Sequence, residues 1–275
     1  SSGVGGIGTS WVGRTLGVIQ DVPDRLTCFP DGIPIRGDWV LSCRGGAVAF
    51  EPWREHMVTV MPLVRVGAQT IFLGAAGASS FGSSQQLRCL PEDALRFGAF
   101  TALHLAQWVL NHRYCGRCGG LNVRCGARLV CSVCGCEQYP VIAPAVILGL
   151  VHEGRLLITH YANRPYRGPA LVAGYCEVGE TLEDTCRREA LEETGLQITG
   201  DFRYFASQPW GLSGSVLMGF FAEVTSQEVS LNDGELADAV WTRPDALPPP
   251  PDAVGTLSLT ATMIEAFRVG WLGTK

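Results

Sequence analysis

Through residue 95 the apolar residues come in short runs separated by Gly, Pro and Asp. VGRTLGVIQ (12–20), DWVLSCRGGAVAF (38–50), HMVTVMPLVRV (56–66) and AQTIFLGAA (68–76) are rich in Val, Ile and Phe. Runs of this kind between turn residues predict the strands of a small β-rich domain. In residues 96–112, RFGAFTALHLAQWVLNH, the apolar positions Phe100, Leu103, Leu105, Val109 and Leu110 fall at helical spacing. That predicts a helix closing the domain. From Pro140 the texture changes. VIAPAVILGLVHEGRLLITHYA (141–162) predicts a β-hairpin turning at Glu153-Gly154. Further strands are expected at VLMGFFAEV (216–224) and DAVWT (238–242), and a closing helix at LSLTATMIEAFRVGWL (257–272) after the proline run 248–251. Between them, Thr181 as N-cap and Gly195 as stop bound one more helix. Strands with two helices make this third an α/β domain.

Composition removes several classes. With 47% hydrophobic and 17% charged residues, the 275-residue chain has ample core and is not disordered. A net charge of −5 and a pI near 5.6 argue against a general nucleic-acid binder. No run of 18 apolar residues marks a membrane span. Residues 1–10, SSGVGGIGTS, are expected to be a flexible terminus, lacking the basic and apolar regions of a signal peptide. Six of the eleven cysteines lie between 115 and 136, a clustering that suggests metal in a reducing compartment rather than disulfides. An intracellular, most simply cytoplasmic, protein is expected.

Those cysteines form a paired arrangement: Cys115-Gly-Arg-Cys118, twelve residues, Cys131-Ser-Val-Cys134. Each pair can form a knuckle presenting two thiolates, and two knuckles complete a tetrahedral Zn2+ site with no position left for substrate. A structural zinc ribbon is therefore expected at 111–140, after a β-rich N-terminal domain (11–110) and before an α/β domain (141–275). Cys125, Cys136 and His112 lie close by, but the paired knuckles win on spacing. The segment also carries Arg113, Arg117, Arg124 and Arg128, with no acid between 111 and 136. These arginines either face phosphate or offset a dianionic zinc centre.

GYCEVGETLEDTCRREALEETGL (174–196) packs seven acids into 23 positions. Glu183 and Asp184 suit the first turn of a helix, where the dipole favours anions. Glu189, Glu192 and Glu193 fall at i, i+3 and i+4, within roughly 100° of one another around the helix. Converging carboxylates repel one another, and they are favourable around hard divalent cations such as Mg2+. Arg188 can brace a glutamate by a bidentate pair.

The full string, Gly174, five residues, Glu180, seven residues, then Arg188-Glu189-Ala190-Leu191-Glu192-Glu193-Thr194-Gly195-Leu196, resembles the Nudix box at every fixed position. Together with the zinc ribbon, YPVIAPAVI (139–147) and SQPW (207–210), the chain resembles the NADH pyrophosphatase branch of the Nudix hydrolases. The resemblance covers residue 96 to the C-terminus. It implies a Nudix α/β/α sandwich that hydrolyses NADH or NAD+ to nicotinamide mononucleotide and AMP, or removes the NAD cap from RNA. It also implies Mg2+ or Mn2+ on Glu189, Glu192, Glu193 and Glu235, with Glu193 activating water and Arg188 and Glu180 supporting the site. Tyr139 and Tyr175 would stack on the nicotinamide, with Ala173, Gly174, Ser207, Gln208, Trp210 and Ser215 completing the pocket. Family members are commonly homodimers. One departure is plain: SQPW is followed by Gly211-Leu212-Ser213-Gly214-Ser215, where the branch usually has Pro-Phe-Pro before the serine. Another nucleoside diphosphate, such as ADP-ribose or a diadenosine polyphosphate, is the alternative substrate. Retention of every box glutamate disfavours a non-catalytic nucleotide sensor, and the acidic net charge disfavours a nucleic-acid adaptor.

Overall fold

Gly45-Gly46, with φ of 54° and 83°, splits the apolar run 38–50 into a hairpin rather than the single strand its composition suggests. This pair, β2 (Trp39–Arg44) and β3 (Ala47–Pro52), joins β1 (Leu26–Cys28), β4 (Thr59–Val66) and β5 (Gln69–Gly74) in one sheet of order β1-β4-β5-β2-β3. The computed structural model describes residues 26–75, 80–163, 166–231, 234–247 and 258–273. The strand expected at 12–20, the terminus 1–10 and the proline run lie outside them.

The helix predicted at 96–112 spans Asp93–Asn111 (α1). It starts three residues earlier because Asp93 occupies the first turn, where an acid complements the helix dipole. Its Leu95, Ala99, Ala102, Leu103 and Ala106 are buried among Leu41, Leu63, Val66 and Ile71 of the sheet. Burial of each large aliphatic side chain contributes roughly 1.5–3 kcal/mol. After α1, β6 (Asn122–Cys125), β7 (Arg128–Cys131) and β8 (Glu137–Gln138) form a small antiparallel sheet, β8 having gone unpredicted.

Described residues 26–142 and 210–214 make one compact unit, and 143–209 with 215–273 the other. In the second unit, β9 (Ala143–His152) and β10 (Arg155–Tyr161) form the predicted hairpin, with Glu153 and Gly154 at φ of 47° and 72°. Positive φ at both central residues matches the right-handed twist of the strands. β11 (Val172–Tyr175), α2 (Leu182–Thr194), β12 (Ile198–Trp210), β13 (Ser215–Val224), β14 (Leu236–Thr242) and α3 (Leu259–Arg268) follow. The sheet order is β12-β13-β9-β10-β14, with β11 also on β9. β9 pairs parallel with β13 and antiparallel with β10 and β11.

Ala145 to Val151 of β9 are buried without interruption, the pattern of a central strand covered on both faces. α2 packs on β9 and β11, and α3 on β9 and β13, completing an α/β/α sandwich. The closing helix ends at Arg268, short of the predicted 272, and Trp271–Gly273 form a 3-10 turn. Among the described residues, no helix is long and apolar enough to cross a membrane.

Candidate functional site

The two cysteine knuckles fold onto one point. The sulfurs of Cys115, Cys118, Cys131 and Cys134 all lie within 4.8 Å of one another, with 3.8 Å between Cys115 and Cys134 and 3.5 Å between Cys118 and Cys131. A tetrahedron with Zn–S bonds of about 2.3 Å has S···S edges of about 3.8 Å, so the cluster is of the size a zinc ion needs. Amides of Arg117, Val133 and Cys134 point at Cys115 and Cys131 sulfurs, the pattern that stabilises thiolates. Cys125 and Cys136 are not in the cluster.

The acidic helix α2 begins on Thr181, whose Oγ1 accepts from the Asp184 amide at 3.1 Å, and ends on Gly195 at φ 70°. Its buried stripe contains Thr185, Cys186, Glu189, Ala190, Glu193 and Thr194. Two glutamates on such a stripe are exceptional, since carboxylates are almost never buried unless paired or ligating. Glu189 is 9% and Glu193 4% exposed, while Glu192 stands at the exposed margin. Burial raises the Glu189 pKa against the pull of Arg188, and the charges of Glu192 and Glu235 raise it further. Glu235 precedes β14 on the surface, its carbonyl accepting from the Ala162 amide at 2.9 Å. Glu189, Glu192 and Glu235 thus share a neighbourhood whose hard oxygen donors are of the kind divalent cations take, although among the described residues only the four cysteines bring ligand atoms together closely enough to hold an ion as they stand.

Arg188 is the hub. Nε and Nη2 grip Glu180 at 2.7 and 3.0 Å, Nη1 reaches Glu189 at 2.7 Å and Glu192 at 3.0 Å, and Nη2 also donates to the Tyr175 carbonyl at 2.9 Å. Glu180 further accepts from the Glu177 amide and the Thr185 hydroxyl, so the loop entering α2 is tied to the helix. Arg188 first, then the Glu177 amide, holds the Glu180 pKa down at about 2. Sequence reasoning missed Thr185, because a threonine four residues after an N-cap has no distinguishing pattern.

Gly174 has a steric duty. It pairs with Val146 in the β11–β9 ladder, and a Cβ there would lie 1.8 Å from Glu189 Oε1. Only glycine leaves the Glu189 carboxylate its place against the strand. Ala173 precedes it opposite Ile147, half-buried. Tyr175 follows, exposed, its hydroxyl accepting from the buried Ser215 at 3.2 Å. The structure thus brings Gly174, Tyr175, Glu180, Arg188, Glu189, Glu192, Ser215 and Glu235 into one neighbourhood.

The other pocket residues have different surroundings. Ser207 is exposed on β12, and Gln208 is buried with Oε1 accepting from the Leu259 amide at 2.7 Å, where it caps α3. Tyr139 and Trp210 belong to the first unit. Tyr139 is exposed and donates to Glu137 at 2.9 Å. Trp210 lies edge-on to Phe100 at 5.6 Å and under the Arg88 guanidinium. The departure after SQPW has a packing reason: a Cβ at Gly211 would sit 2.0 Å from the Phe100 carbonyl oxygen of α1. No side chain fits there.

The chain is similar to several known proteins. The NUDIX domain model matches residues 141–262. The NAD-capped RNA hydrolase NudC of Pectobacterium carotovorum is 37% identical over 166 residues, 59% of this chain and 64% of that protein, so the match spans under two thirds of that relative. NudC of Haemophilus influenzae is 31% identical over 217 residues, 77% of this chain and 78% of that protein. A crystal structure of a NUDIX hydrolase from Nitrosomonas europaea superposes with a TM-score of 0.49 at 22% identity, covering 58% of this chain and 93% of that one. With the box, the cysteine cluster and a relative matched over most of its length, the chain belongs to the Nudix hydrolases, on the branch of the NAD-capped RNA hydrolases.

Proposed function

We propose that this protein hydrolyses the pyrophosphate of NADH or NAD+ to nicotinamide mononucleotide and AMP, and cleaves the same bond in NAD-capped RNA. The observation that carries the reading is the pair of glutamates buried on α2, Glu189 and Glu193, next to Glu192, with the single Arg188 shared among Glu180, Glu189 and Glu192: more negative charge than that arginine balances. Mg2+ or Mn2+ on Glu189, Glu192, Glu193 and Glu235 would neutralise the pyrophosphate and ease deprotonation of water. Glu193 accepts the proton of the attacking water. Arg188 fixes Glu189 and Glu192, and Glu180 fixes Arg188. Tyr175, steadied by Ser215, offers a ring face to the nicotinamide, and Ala173, Gly174, Ser207 and Gln208 of the same unit are assigned to shaping the pocket. We take residues 111–140 as a zinc ribbon leading into a catalytic domain that starts at 141. The free cysteines support a reducing compartment, in keeping with the cytoplasm. The assembly is taken as a homodimer from the family resemblance alone.

The names of the NudC relatives support the substrate class. The test is a panel of NADH, NAD+, ADP-ribose, diadenosine polyphosphates and NAD-capped RNA, with products identified. AMP plus reduced nicotinamide mononucleotide from NADH is expected. A clear preference for ADP-ribose would defeat the reading.

Gly174→Ala probes the cradle. A methyl 1.8 Å from Glu189 Oε1 must push the carboxylate aside. The expected result is a roughly 10- to 100-fold weaker activation by Mn2+, the size typical of lost ligand positioning. Circular dichroism should be unchanged. Unaltered Mn2+ activation would show that Glu189 does not need its observed position.

A further inference from the structure

Alternation in the ribbon sheet sorts its side chains onto two faces. Leu129 of β7 joins the core of the first unit, and Arg124 of β6 lies over the Phe29 ring on that side. The opposite face carries Val123 of β6, and Leu121 two residues before it. Tyr114 forms an antiparallel bridge with Leu121, which places the two side by side on this face. Tyr114 is 60% exposed, Leu121 48% and Val123 52%, so an aromatic and two aliphatics are presented to solvent together. Arg113 stands over the Tyr114 ring at 5.7 Å, and Arg117 is exposed on the first knuckle. Among the described residues neither enters an ion pair. The one acid at this face, Glu137, is compensated by Arg128 at 3.0 Å.

We propose that this outer face of the ribbon sheet is a stacking platform for the single-stranded RNA that follows an NAD cap. Bases stack on exposed aromatic faces regardless of sequence, and arginines track the phosphates. The charge selects a polyanion: Arg113 and Arg117 are exposed here and, among the described residues, enter no ion pair, in a chain whose net charge is −5. A second copy of the same face would set arginine against arginine, which disfavours self-association as its purpose. The inference rests on the NAD-capped RNA reading above and adds to it the place where the chain beyond the cap is held.

The test uses the full-length, zinc-loaded protein and three probes: a fluorescein-labelled uncapped single-stranded 12-nucleotide RNA, the same RNA with an NAD cap, and free NAD+. Tyr114→Ala is expected to weaken binding of the uncapped RNA about tenfold and to raise KM for the capped RNA by the same factor. Turnover of free NAD+ should not change, and Tyr114→Phe should restore RNA binding. Arg117→Ala should reduce the slope of log affinity against log salt by about 0.7, the loss of one single-strand phosphate contact. Zinc content equal to the parent's certifies that each variant is folded. Parental RNA affinity in Tyr114→Ala would overturn the platform, as would an equal loss on free NAD+ or an effect on oligomeric state alone. If the parent cleaves no NAD+ yet binds RNA through Tyr114, the function reading fails and the platform stands. If it cleaves NAD+ and binds no RNA, only the platform fails.

Discussion

Glu193→Gln is expected to lower kcat on NADH by about 10^2- to 10^4-fold, the usual worth of a positioned general base. The substitution keeps the shape of the side chain and removes only its charge and basicity. At 4% exposure on the buried stripe of α2, a carboxylate is costly to keep ionised, whereas an amide is less so. The variant should therefore fold at least as well as the parent, which separates chemistry from stability. Glu183→Gln is the matched control: Glu183 sits exposed in the first turn of the same helix, and its loss should leave kcat within about twofold, as surface changes generally do. Steady-state turnover with saturating Mg2+ or Mn2+ decides the matter. Near-parental kcat in Glu193→Gln would move the role to another acid, with Glu192 the first to try because Arg188 already holds it at the exposed margin.

What the sequence made legible is what depends on neighbours a few residues apart. The hairpin at Glu153-Gly154, the cap at Thr181, the stop at Gly195 and the two cysteine knuckles are all local. Glu180 gripping Arg188 was half legible. The box spacing named both residues, but the bidentate partner of the arginine is eight residues away rather than its neighbour Glu189. The rest needs the tertiary fold. β12 is thirteen residues long yet went unrecognised, because Gly200, Asp201 and Arg203 interrupt its apolar pattern and much of it is exposed. Ser215 and Tyr175 lie 40 residues apart and meet only because β13 and β11 flank the same segment of β9. Gly174 is named by the box spacing and placed in the pocket by the resemblance, and only the approach of α2 to β11 reveals that its missing side chain makes room for Glu189. Gln208 and Trp210, two positions apart in one motif, end in different units, one capping α3 and the other against Phe100.

Removing zinc should unfold the ribbon outright. Among residues 112–142 only Cys115, Leu129 and Cys131 are buried, and two of those three are in the cysteine cluster. A module of about 30 residues with one buried aliphatic cannot offset its own conformational entropy, so it needs a staple. Zinc supplies binding free energy on the order of 10 kcal/mol in small modules of this kind, far above what Leu129 contributes by burial. Chelation, or Cys131→Ser, is expected to release one zinc per chain and to abolish amide protection across 115–138. The loss extends to the first unit, because Leu129 is part of its core and Arg124 stacks on Phe29, so its thermal midpoint should fall by several degrees. Hydrogen exchange with and without chelator, alongside zinc quantification, measures both effects. If protection across 115–138 survives stoichiometric loss of the metal, then the hydrogen bonds between β6, β7 and β8 hold the ribbon by themselves, and the four sulfurs are a binding site rather than a staple.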